Sequence, residues 1–467
     1  MATPQQNQHP NPNSQSRSPE PSAPTVNQRT GQIAPLDAER NLPDRQLQSD
    51  WPHYTNRITL LFFLLHLLVA FVLTFYLAVR SIIAASSSGF QLLNWYPQLL
   101  TTAAASVIFS YPWLILTLRR PLIAIKACLS LAPFLTSAFA FILLGSSTVA
   151  GGVLGGIALF AAICMSLYGC YVAPRIDFAS LIIGKSLSSA EPHAGKLVSP
   201  ANPYIGISIL VGILWSVFWV TGLVGGASMK HSALYLLALC VSYYWTMGAL
   251  RAASVVALSR VSGIYFARGN EVGAREAFIW AHTKWFGSAC LGALSEPFVC
   301  VMRLIARVAN AVEQEDEFLF SCAHCCLGVT ARVRTRASVW GYTHIGMHGK
   351  GFVQASEDTW VAIDARGMGP TVEGEMAGAV WWLAGVASGA GCAVLVGGWT
   401  LGVDKEIVPA VAVFAFFTGY SMTRIALALP QACVCSYYVA FLENPESPVF
   451  DETIPDRIKL FQPSFRV

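Results

Sequence analysis

The sequence predicts an all-α polytopic membrane protein, a helical bundle of about ten transmembrane helices with both termini in the cytoplasm. Three observations predict it. From Ile58 to Val79 the chain runs for 22 residues without a formal charge, and runs of similar length and polarity recur along most of the 467 residues. Charged residues make up 12% of the chain, where a soluble domain has about 25%. Lys and Arg also alternate between successive connecting segments, as the positive-inside rule requires of a folded membrane topology.

The first run, bracketed by Arg57 and Arg80, is long enough as a helix to span about 33 Å, against a hydrocarbon core of roughly 30 Å. Its His66, neutral at pH 7, is expected to pack against a neighbouring helix. Further spans are expected near 97–118, 122–145, 150–172, 205–226, 232–257, 286–308, 317–331, 376–401 and 407–428. The eighth is the shortest and is rich in cysteine. Basic segments hold Arg119, Arg120 and Lys126, then Arg175, Lys185 and Lys196, then Arg260, Arg268, Arg275 and Lys284, then Arg332, Arg334 and Arg336. The intervening links, 81–96, 146–149, the acidic run at 313–317 and 402–406, are poor in positive charge or acidic. A missed or invented span would break this alternation from that point onward.

Three regions follow. Residues 1–50 are rich in Pro, Gln, Asn and Ser with almost no aliphatic run, so they are expected to be a disordered cytoplasmic tail. They lack the basic start, apolar core and cleavage site of a signal peptide. Residues 51–443 form the membrane domain, and 444–467, punctuated by proline, a cytoplasmic C-terminal tail. A net charge of +4 gives no reason to expect a nucleic-acid partner.

Most of the twelve cysteines lie inside apolar runs, where they act as small apolar residues rather than disulfide partners. Cys322, His324, Cys325 and Cys326 superficially meet a C-x-x-C metal pattern, but no second pair at zinc spacing follows. No metal and no cofactor are expected. Gly151 with Gly155, Gly152 with Gly156, and Gly385 with Gly389 have the small-xxx-small spacing that lets two helices approach closely.

The candidate chemistry is aromatic and acidic. The sixth span places Tyr243, Tyr244 and Trp245 together at membrane depth, with Arg251 two turns on, and the fifth puts Trp215 and Trp219 on one face. Such rings suit a quaternary ammonium, which has no N–H to donate and is held by negative ring faces. Taken singly, each ring reads equally as an interfacial anchor or bundle filler. Glu296 lies midway along the seventh span, just before Pro297, where the helix is expected to bend. An ionisable residue at that depth lines a substrate path or pairs with a neighbouring cation such as Arg251. Both readings stay open.

These strings, in this order, resemble the choline transporter-like proteins, a eukaryotic solute-carrier family of ten-span membrane proteins with fungal and protist members. YYWT at Tyr243 to Thr246 resembles the family's aromatic signature. FGSACLGAL from Phe286 to Leu294, with Arg303 beyond it, resembles the opening of its seventh span. SCAHCC followed by Tyr342 to Trp360, and Pro409 through Glu446, are similar to its C-terminal pattern. The likeness covers roughly 235–446 and departs from the family at Ala252, Ser259 and Arg260.

The resemblance implies transport of choline, or a related amino alcohol such as ethanolamine, across the plasma membrane or an organelle membrane, without ATP-binding machinery. It further implies membrane lipid as surroundings and a small organic cation as partner. No Walker-type motif is present, which agrees with a non-enzyme. The expected substrate-binding residues are Tyr244, Trp245, Glu296, Tyr342 and Trp215. A non-transporting scaffold or channel, or a membrane enzyme of lipid metabolism using His344 and His348, remain as alternatives.

Overall fold

The computed structural model describes residues 51–88, 96–190, 202–227, 232–312, 335–373 and 375–461. Regular structure among them is helical, without a strand. Its first part comprises α1 (Trp51–Ser88), α2 (Tyr96–Arg119), α3 (Pro121–Gly145), α4 (Val149–Val172), α5 (Ile176–Ala190), α6 (Pro203–Ala227), α7 (Ser232–Arg268), α8 (Ala274–Lys284) and α9 (Phe286–Val312). Then come α10 (Gly341–His348), α11 (Phe352–Ala365), α12 (Gly369–Glu373), α13 (Ala377–Leu401), α14 (Val408–Ala426), α15 (Ala428–Glu443) and α16 (Thr453–Phe461).

Eight segments among the described residues are long and apolar enough to cross a membrane: Tyr54–Arg80, Leu100–Arg119, Pro121–Gly145, Val149–Ser188, Pro203–Gly226, Leu234–Arg268, Ala377–Leu401 and Val408–Ala426. They coincide with the first six and the last two expected spans, so the chain is a multi-pass membrane protein. The expected seventh span is α9, a 27-residue helix about 40 Å long. Along it the sequence carries Glu296, Arg303 and Arg307. The expected eighth span, 317–331, and the SCAHCC cluster lie outside the described residues.

Local sequence explains the helix ends. Proline occupies the first turns of α3 and α14, where its missing N–H is no loss and its fixed φ suits the helix. At the tight α3–α4 connection, the Thr148 side chain accepts from Gly151 N–H at 3.0 Å, capping α4.

The centre of the bundle is α7, which packs against α6, α9, α10 and α15. Ala249, Ala252, Ala253, Val256 and Ala257 are all buried, and such small side chains let neighbours approach from several sides. Where the family resemblance breaks, at Arg260, the guanidinium lies 4.0 Å from the Trp280 ring centroid and donates to the Gly346 carbonyl. That residue therefore ties α7 to α8 and α10. A second pairing joins α13 to α14, and a third joins α3 to α4. A Cβ added at Gly389 would meet the Phe416 carbonyl oxygen at 2.6 Å, and one at Gly155 would meet Leu144 Cγ at 2.8 Å. At Gly152 and Gly156 it would meet nothing within 4 Å, so that second frame of the α4 glycines faces away from any helix.

The FGS string at the start of α9 has a comparable explanation. Asn56 of α1 accepts from Ser288 N–H at 2.7 Å and from its hydroxyl at 3.0 Å, while its amide donates to the Lys284 carbonyl at 2.8 Å. A Cβ on Gly287 would collide with the Asn56 backbone carbonyl. Gly287 and Ser288 thus make room for a side chain that caps α9 from another helix.

Candidate functional site

Along α7, Cys240, Tyr243, Tyr244, Met247, Gly248 and Arg251 recur at the three- and four-residue steps that define one helix face. That face borders a cavity of about 300 Å³, at the lower end of the range for small-molecule sites. Helix α13 contributes Trp382, one turn before Val386, and α14 contributes Phe416, Phe417, Tyr420 and Arg424. Trp219 reaches in from α6 and Glu296 from α9.

The polar wall is one connected group. Glu296 accepts from Arg251 Nη2, and its other oxygen lies 3.7 Å from Arg424 Nη2. Arg251 also donates to Gln431 Oε1 of α15 at 3.0 Å. The side chains of Arg251 and Arg424 are 5% and 11% exposed, and that of Glu296 24%. Two guanidinium charges against one carboxylate leave one net positive charge in the wall. Burial of ions at this depth is tolerable only because they compensate each other and accept or donate hydrogen bonds.

The aromatic wall is partly locked and partly open. Trp219 stacks on Tyr243 at 4.1 Å between centroids, donates to the Leu239 carbonyl at 2.8 Å, and leaves the Tyr243 hydroxyl bonded to Ser216 at 2.9 Å. Tyr244 and Trp382, by contrast, are 40% and 46% exposed, so their faces are free to meet a ligand.

The structure brings together two of the five expected site residues, Tyr244 and Glu296. Trp245 is one position, and so about 100°, further round α7. It is buried against Phe63 and His66 of α1, with ring centroids 5.2 and 4.5 Å away, and donates to the Cys290 carbonyl at 3.0 Å. His66 thus packs on a neighbouring helix, as expected. Trp215 lies beside Phe218, 5.8 Å between centroids, and does not line the cavity, although Trp219 one turn later does. Tyr342 is fully buried on α10, against Phe352 and the bare Cα of Gly292. Trp382, Tyr420 and Arg424 lie outside the expected set; they stand on helices more than 100 residues beyond α7, and no local motif marks them.

Outside the spans, two histidines are held neutral. Burial pushes His282 of α8 below its ordinary value of 6.5, partly opposed by the Phe278 carbonyl. Burial, with His348 and Lys350 adding to it, pushes His344 down to about 3.

Residues 156–446 match a family model described as plasma-membrane choline transporter. The match reaches well upstream of the strings on which the resemblance rested. Protein PNS1 of Mycosarcoma maydis is 22% identical over 369 residues, 73% of this chain and 69% of that protein. Protein PNS1 of Cryptococcus neoformans is 24% identical over 307 residues, 58% of this chain and 55% of that protein. A CTL-like protein of Dictyostelium discoideum is 20% identical over 349 residues, 68% of this chain and 60% of that protein. The matched part of the second and third of these relatives is therefore under two thirds of their length.

Proposed function

The chain belongs to the plasma-membrane choline transporter family, and from that premise we propose that it carries choline or a related amino alcohol through the cavity bordered by α7, α9, α13 and α14. The observation that carries this reading is the cavity itself: open aromatic faces at Tyr244 and Trp382 with Glu296 as its acidic group. A trimethylammonium head settles against ring faces that need no N–H donor. The Glu296 oxygen that is only 3.7 Å from Arg424, beyond a good hydrogen bond, supplies the counter-charge. The substrate's approach loosens that contact and leaves the Arg251 pair in place.

In this proposal Tyr244 and Glu296 touch substrate, while Trp245, Trp215 and Tyr342 hold the helices that carry the walls. Alternating access is then a movement of α9 at Pro297, where the missing N–H weakens the helix next to Glu296. The driving force is the membrane potential acting on a monovalent cation, so facilitated transport suffices.

The test is radiolabelled choline uptake at matched surface expression. Tyr244→Ala and Trp382→Ala should each raise apparent KM about two- to thirty-fold, from roughly 0.5–2 kcal/mol per lost ring contact. Trp245→Ala should instead reduce the amount of folded carrier with KM little changed. Unchanged KM in both cavity variants would remove the cavity from the substrate path.

One observation favours a second reading. The wall carries a net positive charge, so a zwitterion whose anionic group meets Arg424 while its ammonium meets the rings would also be matched. Competition of choline uptake by a phosphorylated amino alcohol separates the two readings.

A further inference from the structure

Beside α7 and apart from the cavity, helix α10 carries His344 and His348 one turn apart on one face. Helix α10 packs on α15, whose last residue is Glu443. One ligand atom from each of His344, His348 and Glu443 lies within 4.8 Å of the others. The two imidazole centroids are 4.4 Å apart, and His348 Nε2 is 2.5 Å from a Glu443 oxygen. Helix α10 ends immediately after His348 at Gly349, whose φ of 67° is natural to glycine.

The His348–Glu443 contact accounts for those two side chains but leaves His344 unexplained. His344 is 9% exposed, and neither of its ring nitrogens has a hydrogen-bond partner. Its nearest carboxylate, Asp358, is 4.0 Å from Nε2 and already accepts from Lys350 at 2.8 Å. A buried imidazole with two idle nitrogens, facing a second imidazole and a carboxylate, is a donor set without its acceptor.

We propose that His344, His348 and Glu443 bind a borderline divalent metal ion of the zinc class, clamping α10 to the end of α15. Two imidazoles and one carboxylate suit zinc or cobalt and serve calcium or magnesium poorly, since those prefer all-oxygen sites. Zinc bonds of about 2.0–2.2 Å place tetrahedral ligands about 3.3–3.6 Å apart, so the widest separation must close by about 1.5 Å at most while the His348–Glu443 pair opens by about 1 Å, both within reach of side-chain rotation. Water completes the fourth position. Asp358 stands where ligating histidines commonly find the carboxylate that orients them. This inference does not depend on what the cavity carries.

The experiment is a titration of the detergent-purified full chain with Co²⁺ as the probe, read by visible absorption and by bound metal per chain. His344→Gln and Glu443→Gln keep size and polarity while removing a ligand. The wild-type chain should take up one equivalent with tetrahedral d–d bands and release it to Zn²⁺. Both variants should lose that uptake while eluting as the same folded species. Absence of saturable uptake by the wild-type chain overturns the proposal. So does uptake that survives in either variant, which would place the ion on other ligands such as the cysteines.

Discussion

Glu296 joins the ion pairs of the bundle to the cavity, and in the proposed function it also meets the substrate. It stands between Arg251 and Arg424, and removing its charge leaves two buried guanidiniums facing each other. Breaking a buried pair from one side commonly costs about 3–5 kcal/mol, so Glu296→Gln should lower the melting temperature of the detergent-solubilised protein by several degrees. Adding Arg424→Gln to that variant should restore part of the loss by removing the like-charge contact. Equal melting temperatures for wild type and Glu296→Gln would show that the pair is not compensating. At this scale the sequence was half legible. Depth and the adjacent proline mark Glu296, and pairing with Arg251 is one of the two readings the sequence leaves open. Arg424 stayed hidden because a second partner comes from a distant helix. Among the aromatics, Tyr244 and Trp245 are chemically alike and adjacent, and only the neighbours of α7 decide which faces the cavity.

At the scale of the element, spacing announces a contact without saying which frame makes it. The two α4 pairs, Gly151 with Gly155 and Gly152 with Gly156, read identically in sequence, yet only the first frame meets another helix. Gly389 of α13 faces the Phe416 carbonyl of α14, and a backbone atom cannot turn aside as a side chain can. Gly389→Ala should therefore cost about 1–3 kcal/mol through overpacking, whereas Gly156→Ala should be neutral or stabilising by up to about 1 kcal/mol. Thermal unfolding of the two variants side by side checks both signs. Helix α8 supplies a pH dependence. His282 lies 4.2 Å from Phe278 and 5.7 Å from Phe286 between ring centroids, and its folded pKa is below the ordinary 6.5. Below 6.5 the unfolded chain takes up a proton that the folded chain resists, so stability falls as pH drops through that value and recovers as it rises. The loss of melting temperature between about pH 7.5 and about pH 5.5 should be smaller in His282→Phe than in the wild-type chain; an equal loss would assign it to other groups.

For the whole molecule, lipid as solvent made the fold readable. Where apolar runs are uninterrupted, as in α1, helix position follows from length alone, because a chain in hydrocarbon must satisfy its backbone internally. At α9 the expected span 286–308 falls on the helix Phe286–Val312, and its Glu296 is paired inside the bundle. The same accounting of charge gives the last prediction. In the proposed function choline would cross as a monovalent cation, and each charge moved through 100 mV is worth about 2.3 kcal/mol, or about fifty-fold accumulation at equilibrium. A zwitterion carries no net charge and gains nothing from the potential. Proteoliposomes holding the purified chain, with a potassium diffusion potential of about 100 mV, inside negative, should therefore concentrate choline tens-fold and collapse that gradient when the potential is dissipated. Uptake that only equalises concentration, with or without the potential, would exclude potential-driven movement of a cation. Inhibition of that flux by a phosphorylated amino alcohol would then turn the net positive wall of Arg251, Arg424 and Glu296 from a structural feature into the selectivity determinant.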